Sequence, residues 1–182
     1  MMDDSTGDTF YLGLAKEFQI LASLRHPNII SVYDYGFDEE RQPYLVMELL
    51  EGAQEATAQE FPLPAQAKLD LTIQMLEALA YLHRRGVIHR DLKPSNVLVT
   101  RDSEGKRRVK LLDFGLSIRQ GEAGGAEGSL TYIAPEVLQG EPASFSADLY
   151  SAGALVYELF FGRQPFGGDS LDELIDNILT AP

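Results

Sequence analysis

His89-Arg90-Asp91-Leu92-Lys93-Pro94-Ser95-Asn96 is the stretch that decides how this chain folds. A charged triplet on a loop is common, and His89-Arg90-Asp91 alone says little. The spacing to Asn96 sharpens the signal. An aspartate and an asparagine five apart on one tight loop can face one site. The first can accept a hydroxyl proton, and the second can offer its amide oxygen to a hard cation. Asp113-Phe114-Gly115 follows a short apolar run, placing a carboxylate at a strand end beside a flexible glycine, which suits a magnesium ligand. Ala134-Pro135-Glu136 comes later, after the glycine-rich stretch Gly121 to Gly128.

The segments around these motifs read as alternating blocks of strand and helix. Upstream, Leu69, Ile73, Leu76, Leu79, Ala80 and Leu82 mark a long amphipathic helix over Ala65 to Arg85, closed by Gly86. Further back, Leu14, Phe18, Leu21 and Leu24 give a helical spacing that His26-Pro27-Asn28 stops. Ile29 to Tyr35 and Tyr44 to Leu50 are β-branched and aromatic, and predict a hairpin. Gly52 to Pro64 is a polar connector with room for one short helical turn. Downstream, Val97 to Val99 and Val109 to Leu112 predict a second hairpin. Pro135 to Gln139 starts a short helix, with Pro135 in its first turn. Ala147 to Phe161 is apolar on nearly all sides and predicts a buried helix, and Leu171 to Leu179 begins an amphipathic one. The fold class is therefore α+β, with strands segregated from helices.

Composition narrows the function classes. The chain has 182 residues, 45% hydrophobic and 24% charged, which is enough for one domain with a real core. Its net charge of −13 and pI near 4.5 disfavour nucleic acid and anionic membranes as general partners. The one basic stretch, Arg101 to Lys110, encloses Asp102-Ser103-Glu104-Gly105 and reads as a solvated hairpin turn. The absence of cysteine excludes disulfides and thiolate metal sites. The longest apolar stretch, Ala152 to Phe161, is too short to span a bilayer, and Met1 to Asp8 is polar rather than signal-like. A soluble, cytoplasmic protein with no membrane segment in this chain is expected.

The ordered set of His89 to Asn96, Asp113 to Gly115 and Ala134 to Glu136 resembles the catalytic domain of a eukaryotic-like (Hanks-type) serine/threonine protein kinase, from about Leu14 onward. The resemblance implies a two-lobed kinase fold. Residues 1–50 would be a partial small lobe of one helix and a hairpin. Residues 51–182 would be a mostly helical large lobe lacking its last helices. It implies transfer of the ATP γ-phosphate to protein serine or threonine, with ATP and Mg2+ required. Asp91 would be the catalytic base, and Lys93 would neutralise charge on the transferring phosphate. Asn96 and Asp113 would hold the metal. Glu17 would match the regulatory-helix glutamate. Met47 would be the gatekeeper, the backbones of Glu48 and Leu50 would bond the adenine edge, and Leu98 would pack under the ring. Leu21, Val32, His89 and Phe114 match the apolar stack linking the lobes. Asp148 would anchor the catalytic loop through its backbone, since an aspartate in so apolar a helix needs partners. Ser129 sits at the usual threonine position of the substrate-docking segment. Between Phe114 and Ser129 the only hydroxyl residue is Ser117, so phosphate switching of that loop is not expected. Gln54 and Ser95 stand where arginine-preferring kinases carry acids, so no basic-residue preference is expected.

The chain departs from the family pattern at both ends. No G-x-G-x-x-G loop precedes the first helix, since Gly7 and Gly13 have the wrong spacing, and Lys16 abuts Glu17 instead of preceding it on a strand. The arginine that would pair with Glu136 is also missing. A fragment of a longer kinase, with further domains, and a natural pseudokinase or kinase-shaped scaffold both remain open. In either case the isolated chain is expected to bind ATP poorly and to turn over little or nothing.

Overall fold

A computed structural model describes residues 18–40, 42–58, 63–112 and 130–180. Residues 18–23 are helical (α1). Pro27-Asn28 then turns the chain into β1 (Val32–Phe37), which pairs antiparallel with β2 (Pro43–Met47). β3 (Gln54–Glu55), β4 (Val97–Arg101) and β5 (Arg107–Leu111) form an antiparallel sheet in that order. The helices are α2 (Ala65–His83), α3 (Pro135–Leu138), α4 (Phe145–Phe161) and α5 (Leu171–Thr180). The α+β class holds: among the described residues the strands lie between Val32 and Leu111, with α2 among them, and only helices follow. Among its described residues the polar connector contains β3 and no helical turn. Its two residues bond across to Val99 and Leu98, a tertiary pairing that local propensity does not signal.

One short segment stitches the two sheets together. Ile29 forms an isolated parallel bridge with Leu111, in which Ile30 N–H donates to Leu111 O at 2.9 Å and Leu111 N–H to Asn28 O at 2.9 Å. Buried Asn28 donates its side-chain amide to Gln74 Oε1 (2.8 Å) and Val109 O (3.0 Å). Gln74 Oε1 in turn accepts from Val109 N–H at 3.0 Å. The turn that ends α1 is thereby bonded to both α2 and β5, and its buried polar groups are satisfied.

The core is continuous. Phe18 and Leu21 from α1, Leu24, Ile29 and Val32, the inward residues of β4 and β5, and the inner faces of α2 and α4 belong to one buried cluster. On α2 the buried face is Leu71, Met75, Ala78, Leu79 and Leu82. The amphipathic reading selected the wrong stripe in part: Leu69, Ile73 and Leu76 are 46%, 46% and 41% exposed, while Leu79 and Leu82 are buried. The helix carries two apolar stripes, and the one facing β5 and α4 wins. Gly86 closes α2 as expected. At φ +73° it lets Val87 N–H reach Leu82 O (3.1 Å) and Gly86 N–H reach His83 O (3.0 Å), a Schellman arrangement. α4 starts two residues before the expected Ala147, capped by the Ser144 side chain on Ala147 N–H, and ends at left-handed Gly162. It is apolar on most sides but not wholly buried, since Leu149 and Phe161 are 54% and 67% exposed.

Truncation separates the two stripes of α2. Leu79→Ala should cost about 2–5 kcal/mol in chemical denaturation and Ile73→Ala under about 1 kcal/mol.

Candidate functional site: the loop between α2 and β4

The site is built on a buried carboxylate. Asp148, in the first turn of α4, is 1% exposed. Its Oδ2 accepts from His89 N–H (2.8 Å) and from the His83 ring Nε2 (2.8 Å), and its Oδ1 accepts from Arg90 N–H (2.9 Å). This is the anchoring expected of Asp148. The two amides belong to a backbone held in an uncommon conformation, with Arg90 at φ +68°. A left-handed non-glycine residue costs on the order of 1 kcal/mol, so it persists only when its surroundings over-determine it. The aspartate supplies that determination.

Beyond the anchor the chain extends to a single 3₁₀ turn, Pro94–Asn96, which delivers Asn96 into the interior at the start of β4. Asn96 Nδ2 donates to Asp91 O (2.7 Å) and to Asp91 Oδ2 (2.9 Å). Lys93 Nζ lies 2.8 Å from the same Oδ2. Asp91, Lys93 and Asn96 thus converge on one carboxylate oxygen. With both Asn96 amide bonds made by nitrogen, its oxygen, the harder donor, faces away from Asp91 and is suited to a cation. Asn96 O also accepts from Leu112 N–H (2.9 Å), which ties the loop to the residue before Asp113. Among the described residues no group of three or more His, Asp or Glu is arranged to hold a metal. Asp113 and Glu17, the other expected ligand and the regulatory glutamate, lie outside the described residues, as do Phe114, Ser117 and Ser129.

His89 is fully buried, and Leu21 and Val32 of the expected apolar stack are buried as well. Burial lowers the His89 pKa from its ordinary 6.5 to about 4, against the opposing pull of the Asp148 and Asp91 charges.

On the other expected wall, β2 ends at Met47 and the chain continues through Glu48, Leu49 and Leu50. Glu48 N–H donates to Ser31 O (2.9 Å), and Leu50 O accepts from Ala53 N–H (3.4 Å). The Glu48 carbonyl and the Leu50 N–H have no backbone partner among the described residues. Leu98, half-buried on β4, sits opposite Lys110 of β5.

Two carboxylates near the loop escaped the sequence reading. Glu55 and Glu158 line a cleft of about 300 Å³ with Lys93, Ser95 and Tyr132. Tyr132 donates its hydroxyl to Glu158 Oε2, and burial together with that bond raises its pKa. The signal for Glu158 was its place on α4, where an acid interrupts an apolar run; nothing local marked Glu55.

A two-sheet body on a helical base, with an anchored loop presenting an aspartate, a lysine and an asparagine, is the architecture of a protein kinase catalytic domain. Residues 3–181 match the family model for the protein kinase domain, and the chain belongs to that family. It is 40% identical over 174 residues to a probable serine/threonine-protein kinase of Streptomyces coelicolor, covering 89% of this chain and 25% of that protein. To the serine/threonine-protein kinase PknB of Mycobacterium leprae it is 34% identical over 173 residues, covering 89% and 27%. The crystal structure of Rad53 1–466 in complex with AMP-PNP superposes with a TM-score of 0.77 at 34% identity, over 92% of this chain and 42% of that one. The chain therefore spans about a quarter of the length of these bacterial relatives. No helix among the described residues is long and apolar enough to cross a membrane.

Two outcomes test the anchor. Asp148→Ala leaves the His89 and Arg90 amides buried without their acceptor, and should cost about 3–5 kcal/mol in chemical denaturation. His89 makes stability fall on acidification. Its folded pKa lies below its unfolded one, so the unfolded chain binds the proton first. The contribution of neutral His89 is complete above pH 6.5 and is lost as pH falls from there towards about 4. Denaturation midpoints should drop across that window, and His89→Phe should flatten the slope.

Proposed function

We propose that this chain is the catalytic portion of a serine/threonine protein kinase, transferring the γ-phosphoryl group of ATP to hydroxyls of protein substrates. The observation that carries this reading is the convergence of Lys93 Nζ and Asn96 Nδ2 on Asp91 Oδ2, at 2.8 Å and 2.9 Å. Asp91 orients the substrate hydroxyl and takes its proton. Lys93, on the same carboxylate, offsets charge on the phosphoryl oxygens as they pass between donor and acceptor. The reaction needs positioning and charge screening more than covalent chemistry, and a rigid loop supplies both.

Asn96 Oδ1, with Asp113, would hold Mg2+. The ion would neutralise charge on the phosphate oxygens when bound. The Glu48 carbonyl and Leu50 N–H offer the acceptor and donor that an adenine edge requires, with Met47 behind the base and Leu98 beneath it. Glu17 is read as the regulatory-helix glutamate. Residues 1–50 are read as part of a small lobe and 51–182 as the large lobe, of a protein that carries further domains and works in the cytoplasm.

The test is transfer of labelled γ-phosphate from ATP with Mg2+ to casein by the purified chain, at ATP and enzyme concentrations high enough to offset weak nucleotide binding. Asp91→Asn should lower the rate by about 10²-fold or more. Transfer that Asp91→Asn leaves intact contradicts the reading. Nucleotide binding with no transfer by the native chain would identify an interaction module instead.

A further inference from the structure

Lys110 is a basic residue of the second hairpin that the sequence reading assigned to solvent. The structure places it elsewhere. Its Nζ lies 2.5 Å from Glu48 Oε1, and the two side chains are only 15% and 17% exposed. The other lysine and arginine pairs among the described residues are more open; Lys106 and Glu104 are 67% and 70% exposed. Glu48 Oε2 accepts from Ser31 N–H (3.1 Å), while the Glu48 N–H returns a bond to Ser31 O (2.9 Å). One carboxylate thus ties three segments: the chain leaving β2, the approach to β1, and β5. Burial alone would raise the Glu48 pKa, but the bonds from Lys110 and Ser31 and the Lys110 charge overcome it and lower the value. Glu48 is therefore held as a carboxylate with its acceptors committed.

The location gives the pair a consequence. Lys110 stands directly across the ladder from Leu98, and Glu48 is the residue whose carbonyl is left open at the proposed adenine edge. We propose that Lys110 is a positioning residue for nucleotide: its ammonium, through the Glu48 side chain, fixes the backbone from Glu48 to Leu50 relative to the Leu98 strand. This rests on reading Glu48 to Leu50 as the adenine edge. The two ends of an adenine pocket, floor and edge, come from segments far apart in sequence. A charge-assisted bond between them sets their spacing with the strength that partial burial allows. Removing the ammonium leaves a half-covered carboxylate with Ser31 as its remaining partner, and the edge loosens without disturbing the Asp91 loop.

Two readouts on the purified 182-residue chain separate the latch from the kinase reading. The first needs no nucleotide: amide hydrogen exchange, followed residue by residue. In Lys110→Met the Ser31 and Glu48 amides should exchange about five-fold faster, with α2 core amides unchanged as the fold control. Lys110→Arg should restore protection. Glu48→Gln, which keeps the shape and removes the charge, should give the same acceleration and serves if Lys110→Met does not fold. Unchanged protection at Ser31 and Glu48 in a folded variant overturns the latch. The second readout is AMP-PNP affinity with Mg2+, which should weaken about five-fold in Lys110→Met and recover in Lys110→Arg. Faster exchange with unaltered affinity overturns the positioning role. Faster exchange in a native chain that binds no AMP-PNP refutes the adenine-edge reading, and with it this role of Lys110, while the latch itself stands.

Discussion

The carboxylate of Asp148 is the constraint on which the rest of the site depends. It sits on a helix whose other inward residues are alanine, serine and leucine, where an unpartnered charge would be prohibitive. Its acceptor sites are filled by two backbone amides of the loop and by His83 at the end of α2. The charge and the loop are therefore mutually required. Without the amides the aspartate could not stay buried, and without the aspartate the left-handed Arg90 backbone would relax. Once that backbone is set, the side chains of Asp91, Lys93 and Asn96 have little choice but to converge.

A second joint, one backbone bridge and a set of side-chain bonds, holds the small β1–β2 hairpin against the body. The Ile29–Leu111 bridge, the Asn28–Gln74–Val109 bonds and the Glu48–Lys110 pair all meet at β5. β5 continues through Leu112, whose amide is bonded to Asn96, towards Asp113. β5 is thus tied both to the segment that follows β2 and, through Leu112, to the loop from Asp91 to Asn96. Family membership follows from the match over residues 3–181.

What could be read from the sequence follows from the range of each interaction. The loop motif, the Gly86 cap and the need of Asp148 for partners are local, and they stand where expected. Both hairpins were visible as β-branched runs. β3 was not, because Gln54 and Glu55 become a strand only by pairing with a segment more than forty residues away. Leu69, Ile73 and Leu76 were assigned to the core because periodicity identifies apolar stripes but not which one meets a neighbour. Lys110 reads as a solvated charge for a similar reason: its partner, Glu48, comes from another element.

Paramagnetic broadening by Mn2+, standing in for Mg2+, tests whether the loop from Asp91 to Asn96 is a nucleotide–metal site. With AMP-PNP present, the Asn96 side-chain amide should broaden first, together with a shift at the Leu50 amide. Broadening spread over the acidic surface, indifferent to nucleotide and sparing Asn96, would contradict the account.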